Sequence, residues 1–182
     1  MLAAMPLPLI IRTATPADLA AVDLLLARSY PRLLAADYPP SVMVMAVPII
    51  SRARPDLLAS GRYYLAFDGT GQLVGAGGWS GTAPGPSDQT ASDVAKPQAG
   101  GVGHVRHLAT DPDALRQGVG RAVMATVFAA AGAAGVNRME CLATLTAVPF
   151  YKAAGFAVLA AVEVPLRPGI VFPAVQMIRT LP

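Results

Sequence analysis

The chain has 182 residues, 54% of them hydrophobic and 14% charged, and its 14 basic and 11 acidic side chains leave a net charge of +3. That is enough apolar material for one sizeable core, and it excludes disorder as the overall state. Lys96 and Lys152 are the only lysines, the other 12 cations are arginines scattered along the chain, and no stretch carries the dense basic clustering of a nucleic-acid footprint.

A membrane span is not expected either. The longest uncharged stretch of the C-terminal half, between Arg121 and Arg138, holds 16 residues rich in Ala and Gly, where a span needs about 20 strongly apolar ones. Met1 to Ile11 has no basic start, contains Pro6 and Pro8 and runs straight into Arg12, so it does not read as a signal peptide. With Cys141 as the single cysteine there is no internal disulfide, and no Cys/His cluster points to zinc. The expectation is a cytoplasmic protein without a metal. Scarce lysine beside abundant Ala, Arg, Gly and Pro is also what GC-rich coding produces.

The first expected strand is Leu7 to Thr13. Thr15-Pro16-Ala17-Asp18 reads as a helix start, with Thr15 as the cap, Pro16 at the first helical position and Asp18 reaching back. Leu19, Val22, Leu25 and Leu26 continue at helical spacing, and Tyr30-Pro31 is expected to end this helix near Ser29. Ser41 to Ser51 is an apolar, Met-rich stretch read as a second helix broken or bent at Pro48. From Arg62 the period shortens. Arg62 to Phe67 and Gln72 to Trp79 flank Asp68-Gly69-Thr70-Gly71, a hairpin pattern. Residues 81–101, rich in Pro, Ser, Thr, Gly and Asp, read as a flexible loop within a single domain spanning 1–182. Beyond it, Val102 to Thr110 reads as a strand, Gly118 to Ala134 as a helix and Met139 to Ala143 as a strand. Thr146 to Ala154 reads as a helix stopped by Gly155, followed by strands over Phe156 to Val164 and Ile170 to Ile178. The order is mixed α/β, with an antiparallel opening and a βαβ unit across 102–143.

The sharpest local feature is Leu115-Arg116-Gln117-Gly118-Val119-Gly120-Arg121, between a strand and a helix. Glycines at a helix start let a backbone approach a ligand. The free amides of the first turn and the helix dipole then favour a phosphate, with Arg116 and Arg121 adding charge. An ordinary tight turn into a packed helix has the same spacing. A dinucleotide fingerprint would need a third glycine where Val123 stands, although Glu140 lies where its acidic residue belongs. Asp111 to Gln117 is also too long for that tight turn, and a P-loop lacks its Gly-Lys-Ser/Thr.

A second constellation separates these readings. Thr144-Leu145-Thr146-Ala147-Val148-Pro149-Phe150-Tyr151-Lys152-Ala153-Ala154-Gly155-Phe156 resembles the C-terminal motif of the GNAT superfamily of N-acetyltransferases. His107-Leu108-Ala109-Thr110-Asp111-Pro112, followed by Arg116 to Arg121, is similar to that family's acyl-CoA motif. In element order the resemblance covers about residues 10 to 178; in specific motifs it covers 102–156. It implies a GNAT-like acyl-CoA N-acyltransferase fold: a central twisted, mostly antiparallel sheet with a splayed parallel pair and helices on both faces. It implies acetyl-CoA as co-substrate, with the amides of Arg116, Gln117, Gly118, Val119 and Gly120 around the pyrophosphate. Leu108, Ala109 and Thr110 would lie along the pantetheine arm, and Leu115, Arg121, Thr144, Phe150 and Tyr151 complete the cofactor-binding set. Tyr151 matches the tyrosine that protonates the departing thiolate. Two positions depart from the pattern. Leu115 stands where the family has Arg or Gln, with Arg116 one place later, and Thr144 stands where many members have Asn.

Direct transfer needs a base to take a proton from the attacking amine. His104 occupies a strand position where some GNAT enzymes carry a catalytic glutamate, and an imidazole serves that role at neutral pH. His107, three residues on, would face the other side of a regular strand, a parity that a bulge would scramble. That spacing argues against a two-His metal site. Either histidine could equally be a satisfied structural group. Cys141, in an apolar strand without a base beside it, reads as a core thiol. Glu140 fits a supporting or a solvated role, and Trp79, Tyr30 and Tyr38 are candidates for the acceptor pocket and for the core alike. Met43 and Met45 read as packing. The expected activity is transfer of an acetyl group from acetyl-CoA to a primary amine of a small molecule by direct attack. The alternative is a non-catalytic CoA-binding GNAT domain acting as sensor or scaffold. The nine aspartates are spread along the chain and single out no cationic acceptor. Relatives of this kind often dimerise, so a homodimer is expected, with no nucleic-acid or membrane partner.

Overall fold

The computed structural model describes residues 8–84 and 101–182. Leu7 of the first expected strand and most of the expected flexible loop, residues 85–100, lie outside the described residues.

Seven strands form one sheet: β1 (Ile10–Thr13), β2 (Tyr63–Phe67), β3 (Leu73–Ser80), β4 (Val102–Thr110), β5 (Arg138–Ala143), β6 (Ala157–Arg167) and β7 (Ile170–Thr180). Their spatial order is β1-β2-β3-β4-β5-β7-β6. All neighbours are antiparallel except β4 and β5, which are joined by the crossover helix α5 (Val119–Ala133). On that face Val123, Met124, Val127 and Ala131 of α5 and Tyr151 of α6 (Val148–Ala153) join the core. On the other face α1 (Leu19–Leu34) and α4 (Pro55–Ala59) bring Val22, Leu25, Leu26, Leu57 and Leu58 against Tyr63 and Leu65. Burying each such aliphatic side chain is worth about 1.5–3 kcal/mol. No helix among the described residues is long and apolar enough to cross a membrane.

The start before α1 forms as its residues require. The Asp18 carboxylate accepts from the Thr15 amide at 2.8 Å and takes both guanidinium nitrogens of Arg12, at 2.7 and 2.9 Å. Those bonds to the charged form hold it well below the usual carboxylate range. α1 does not stop near Ser29, as the proline suggests, but runs through Pro31 to Leu34. Tertiary contacts outweigh the missing amide donor. The Ser29 hydroxyl donates to the Thr110 carbonyl at 2.9 Å, Arg28 and Arg32 meet Asp113 at 3.2 and 3.0 Å, and Leu34 is buried against Phe172 and Ala174. The Met-rich stretch forms two short helices, α2 (Pro40–Met45) and α3 (Val47–Ile50). The break falls at Ala46, and Pro48 sits inside the first turn of α3, where its missing amide costs nothing.

β3 carries the run Gly75-Ala76-Gly77-Gly78. A Cβ at Gly77 would stand 2.8 Å from the Leu108 side chain, and one at Gly78 would stand 2.7 Å from the Tyr63 ring. The bare backbone lets Tyr63 lie across β3 and reach β4, which shapes the site.

Candidate functional site

β4 and β5 pair only through Val102–Arg138, Gly103–Met139 and His104–Glu140. β4 then continues to Thr110 against β3, and β5 to Ala143 against β7. From Val105 on one strand and Cys141 on the other, their inner edges part. The cause lies in β4, where His107 and Leu108 together stand opposite the single residue Gly77. This is a bulge, which bends its strand. His107 takes a φ of 45°, unusual for a residue with a side chain, and the Tyr63 hydroxyl donates to its carbonyl at 2.9 Å.

Below the opening, Asp111 to Gly118 lead into α5. The Asp111 carboxylate accepts from the Asp113 amide at 2.9 Å, and Ala114 is buried. Arg116 and Gly118 then adopt left-handed backbone, with φ of 59° and 82°. Alternation of this kind turns successive amides toward one side, and the first-turn amides of α5 have no partner within the helix. The space in front of Gly118 is open, with nothing within 4 Å of a built Cβ. At Gly120 the same test meets the Phe150 ring at 3.1 Å and Thr110 Oγ1 at 3.5 Å. The loop, the end of β4 and α6 therefore meet at one point. These donors, the helix dipole and the exposed Arg116 and Arg121 fit a pyrophosphate.

Tyr151 lies under the opening on the α5 side, edge-on to Phe150 and Phe156 at 5.4 and 5.2 Å. Among the described residues none hydrogen-bonds its hydroxyl. Burial holds its pKa well above the ordinary phenol value, and nearby Cys141 and Tyr30 add to this. Tyr30 belongs to α1 on the opposite face. Burial pushes Tyr30 itself up to about 12. The Thr144 hydroxyl oxygen accepts from the Ala147 amide at 3.2 Å and caps the turn before α6.

On the α1 side two cavities adjoin. The smaller, about 280 Å³, is lined by His104, Glu140, Cys141 and Glu163 among others. His104 Nδ1 lies 3.9 Å from Glu140 Oε2, and Glu140 Oε1 lies 3.1 Å from Arg138. Burial lowers the His104 pKa, Glu140 opposes this, and Arg106 and Arg138 reinforce it. The imidazole is therefore neutral at physiological pH. The larger cavity, about 410 Å³, is lined by Tyr30, Arg52, Arg54, Asp56, Arg106, His107 and Thr144 together with apolar side chains.

The structure thus brings Tyr151, His104, Thr144, Phe150 and Leu108 to Thr110 around one opening, with Leu115 to Arg121 at its foot. His107 departs from the regular-strand expectation. The bulge turns it toward the larger cavity, beside Arg106, on the side His104 also faces. Of the three aromatic candidates for the pocket, only Tyr30 lines it. Trp79 is buried in the core, and Tyr38 is tied down by donating to Pro173 and accepting from the Leu145 amide. Cys141, its thiol pushed up to about 12 by burial, is no nucleophile. Sequence reasoning missed Arg106, which is 3% exposed and donates to Ser80 Oγ at 2.9 Å. Its position two residues from His104, hence on the same strand face, was the available signal.

Residues 59–158 match the acetyltransferase (GNAT) domain family. No protein of curated function matches the chain. Among solved structures, a GCN5-related N-acetyltransferase from Rhodopseudomonas palustris is similar with a TM-score of 0.73 at 20% identity, covering 100% of this chain and 99% of that one. A PaiA N-acetyltransferase from Thermoplasma acidophilum, solved with coenzyme A, is similar at 0.66 and 14% identity, covering 95% and 99%. An N-acetylglutamate synthase from Neisseria gonorrhoeae, solved with coenzyme A and N-acetyl-glutamate, is similar at 0.60 and 16%, covering 96% of this chain and 35% of that one.

Proposed function

Since the chain belongs to the GNAT acetyltransferase family, we propose that it transfers an acetyl group from acetyl-CoA to a primary amine of a small molecule. The observation that carries this is the opening between β4 and β5 directly above the glycine start of α5. A slot for an extended arm and a seat for a pyrophosphate lie in line. The structural neighbours solved with coenzyme A support the same cofactor.

The amides from Arg116 to Gly120 hold the pyrophosphate, Arg121 adds charge, and Leu115 lies at the rim. Leu108, Ala109 and Thr110 offer backbone groups to the pantetheine arm, and Thr144 and Phe150 close its other side. The co-substrate supplies a thioester carbonyl open to attack. His104, neutral and beside Glu140, takes the proton of the amine as its nitrogen forms the new bond to the carbonyl carbon. The Tyr151 hydroxyl gives a proton to sulfur as the carbon–sulfur bond breaks. Because its own pKa is high, Tyr151 is protonated and ready to donate. We read the protein as cytoplasmic and as a homodimer. The exposed edge strand β6, with Val158 and Leu159 about half exposed, supports the second point.

The test is thiol release from acetyl-CoA across an amine panel, after calorimetry with CoA. Binding with release supports the transferase. Binding without release points to a CoA-binding sensor instead, and no binding overturns both.

A further inference from the structure

The last rung between β4 and β5 pairs His104 with Glu140. Each residue is held from its other side as well, His104 opposite Ser80 of β3 and Glu140 opposite Ile178 of β7. Both side chains line the smaller cavity, 13% and 19% exposed. The two oxygens of Glu140 have different partners. Oε1 lies 3.1 Å from Arg138, and Oε2 lies 3.9 Å from His104 Nδ1. Arg138 is half exposed, so water screens its hold on the carboxylate, whereas the contact with His104 is made where screening is weak. A carboxylate accepts and has no proton to give. A lone pair on Nδ1 would be repelled by it, and an N–H is attracted. The proton of the neutral ring therefore belongs on Nδ1 and the lone pair on Nε2, the reverse of the tautomer that free histidine favours.

Resting on the transferase reading, we infer that Glu140 is the positioning residue of the base: it keeps Nε2 of His104 ready to take a proton and faces the imidazolium that results. The proton moves from the attacking amine to Nε2 as the amine nitrogen bonds to the carbonyl carbon. Nδ1 keeps its own proton, and Glu140 stays ionised throughout. At 3.9 Å the pair is a charge contact rather than a hydrogen bond, so its attraction is greatest once the ring is charged. The other titratable groups around the ring are Arg106 on β4, Arg138 and Cys141 on β5, and the exposed Glu163 on β6. Glu140 favours the charged ring, and the two arginines oppose it.

Histidine NMR on the whole chain tests this without an acceptor. The sequence has 2 histidines, His104 and His107, and His107→Gln assigns their signals. Long-range proton–nitrogen spectra should show His104 protonated at Nδ1 above its titration midpoint. In Glu140→Gln that midpoint should move down by about 0.5 pH or more. In Arg138→Gln, a change at a half-exposed side chain, it should move up. Glu140→Asp should fall between Glu140→Gln and the parent. In the thiol-release assay, with an amine that the parent accepts, Glu140→Gln should lower kcat about tenfold, with the KM for acetyl-CoA within about twofold. The inference is overturned by an Nε2–H tautomer in the parent, or by a midpoint that stays in place in Glu140→Gln or falls in Arg138→Gln. Undiminished turnover in Glu140→Gln overturns it too. Failure of the transferase reading looks different: the tautomer and both midpoint shifts hold, and the parent releases no thiol with any amine.

Discussion

The hydroxyl of Tyr63 holds the carbonyl of His107 at 2.9 Å, reaching past β3 to the one residue of β4 whose backbone is left-handed. Tyr63 is 1% exposed, so this bond is made in a dry interior. It fixes the bulge from which the two central strands part. Tyr63→Phe keeps the ring and removes only the bond. Thermal or urea unfolding should show a loss of about 1 kcal/mol, accompanied by weaker acetyl-CoA binding. An unchanged affinity would mean that the bulge holds its shape without the tyrosine.

Tyr151→Phe separates chemistry from binding. The ring packing against Phe150 and Phe156 survives, and the proton donor is lost. Turnover is expected to fall about 100-fold or more, while the acetyl-CoA dissociation constant stays within twofold. Equal losses in both would make the tyrosine a packing residue.

The pH dependence follows from the burial of His104. Its folded pKa lies below the ordinary value of about 6.5, so activity that needs neutral imidazole holds to lower pH than a free histidine would allow. The pH profile of kcat/KM should fall on its acid side with a midpoint below 6.5, and His104→Gln should remove that limb. Stability is linked with the opposite partner. Below about pH 6.5 the unfolded chain takes up the proton first, so stability declines as pH drops from about 6.5 toward the folded pKa, and above about 6.5 it is insensitive to this group. Unfolding measured at pH 7.5 and 5.5 should show a smaller acid loss in His104→Gln than in the parent.

Gly118→Ala probes the phosphate seat. Space is no obstacle, because nothing lies within 4 Å of the new Cβ. The left-handed backbone is the obstacle, at about 1–2 kcal/mol. Relaxation of that residue would turn the neighbouring amides away. The acetyl-CoA dissociation constant should rise about tenfold, with circular dichroism unchanged. Parent-like affinity would show that the pyrophosphate does not depend on this geometry.

The assembly is checked by light scattering, where the expected mass is twice the 18.7 kDa of the chain. Val158→Lys on β6 should halve it. A monomeric parent protein would refute the dimer.

What could be read from residue patterns was the order of elements around the centre. Strand 102–110 and the helix after Gly118 announce themselves through periodicity and glycine placement, and with them came the loop from Leu115 to Arg121, whereas Tyr151 and His104 were singled out by the resemblance to the acetyltransferase family. What could not be read was set by contacts distant in sequence. Pro31 looks like a helix end until Ser29, Arg28 and Arg32 are seen to grip Thr110 and Asp113. The side on which His107 falls depends on a bulge that only its pairing with Gly77 and the bond from Tyr63 define. Arg52 and Arg54 sit in a stretch without periodicity, and only the folding of α3 and α4 over the sheet brings them beside Arg106.

The three rungs between β4 and β5 also make this molecule a mechanical object of a particular kind. On one side β1 to β4 form a plate laced antiparallel, and on the other β5, β7 and β6 form a second. Among the described strands the two plates are paired only through the rungs from Val102 to His104. Helices clasp them together from both faces: α5 on one, and on the other α1, tied to Thr110 and packed through Leu34 on Phe172 and Ala174. A parallel ladder is the weaker kind, and this one is short. The in-sheet bond between the plates is therefore gathered at one short seam, held from both faces by helices. The width of the slot is thus a property of the whole protein, set as much by the helices that grip both plates as by the residues lining it.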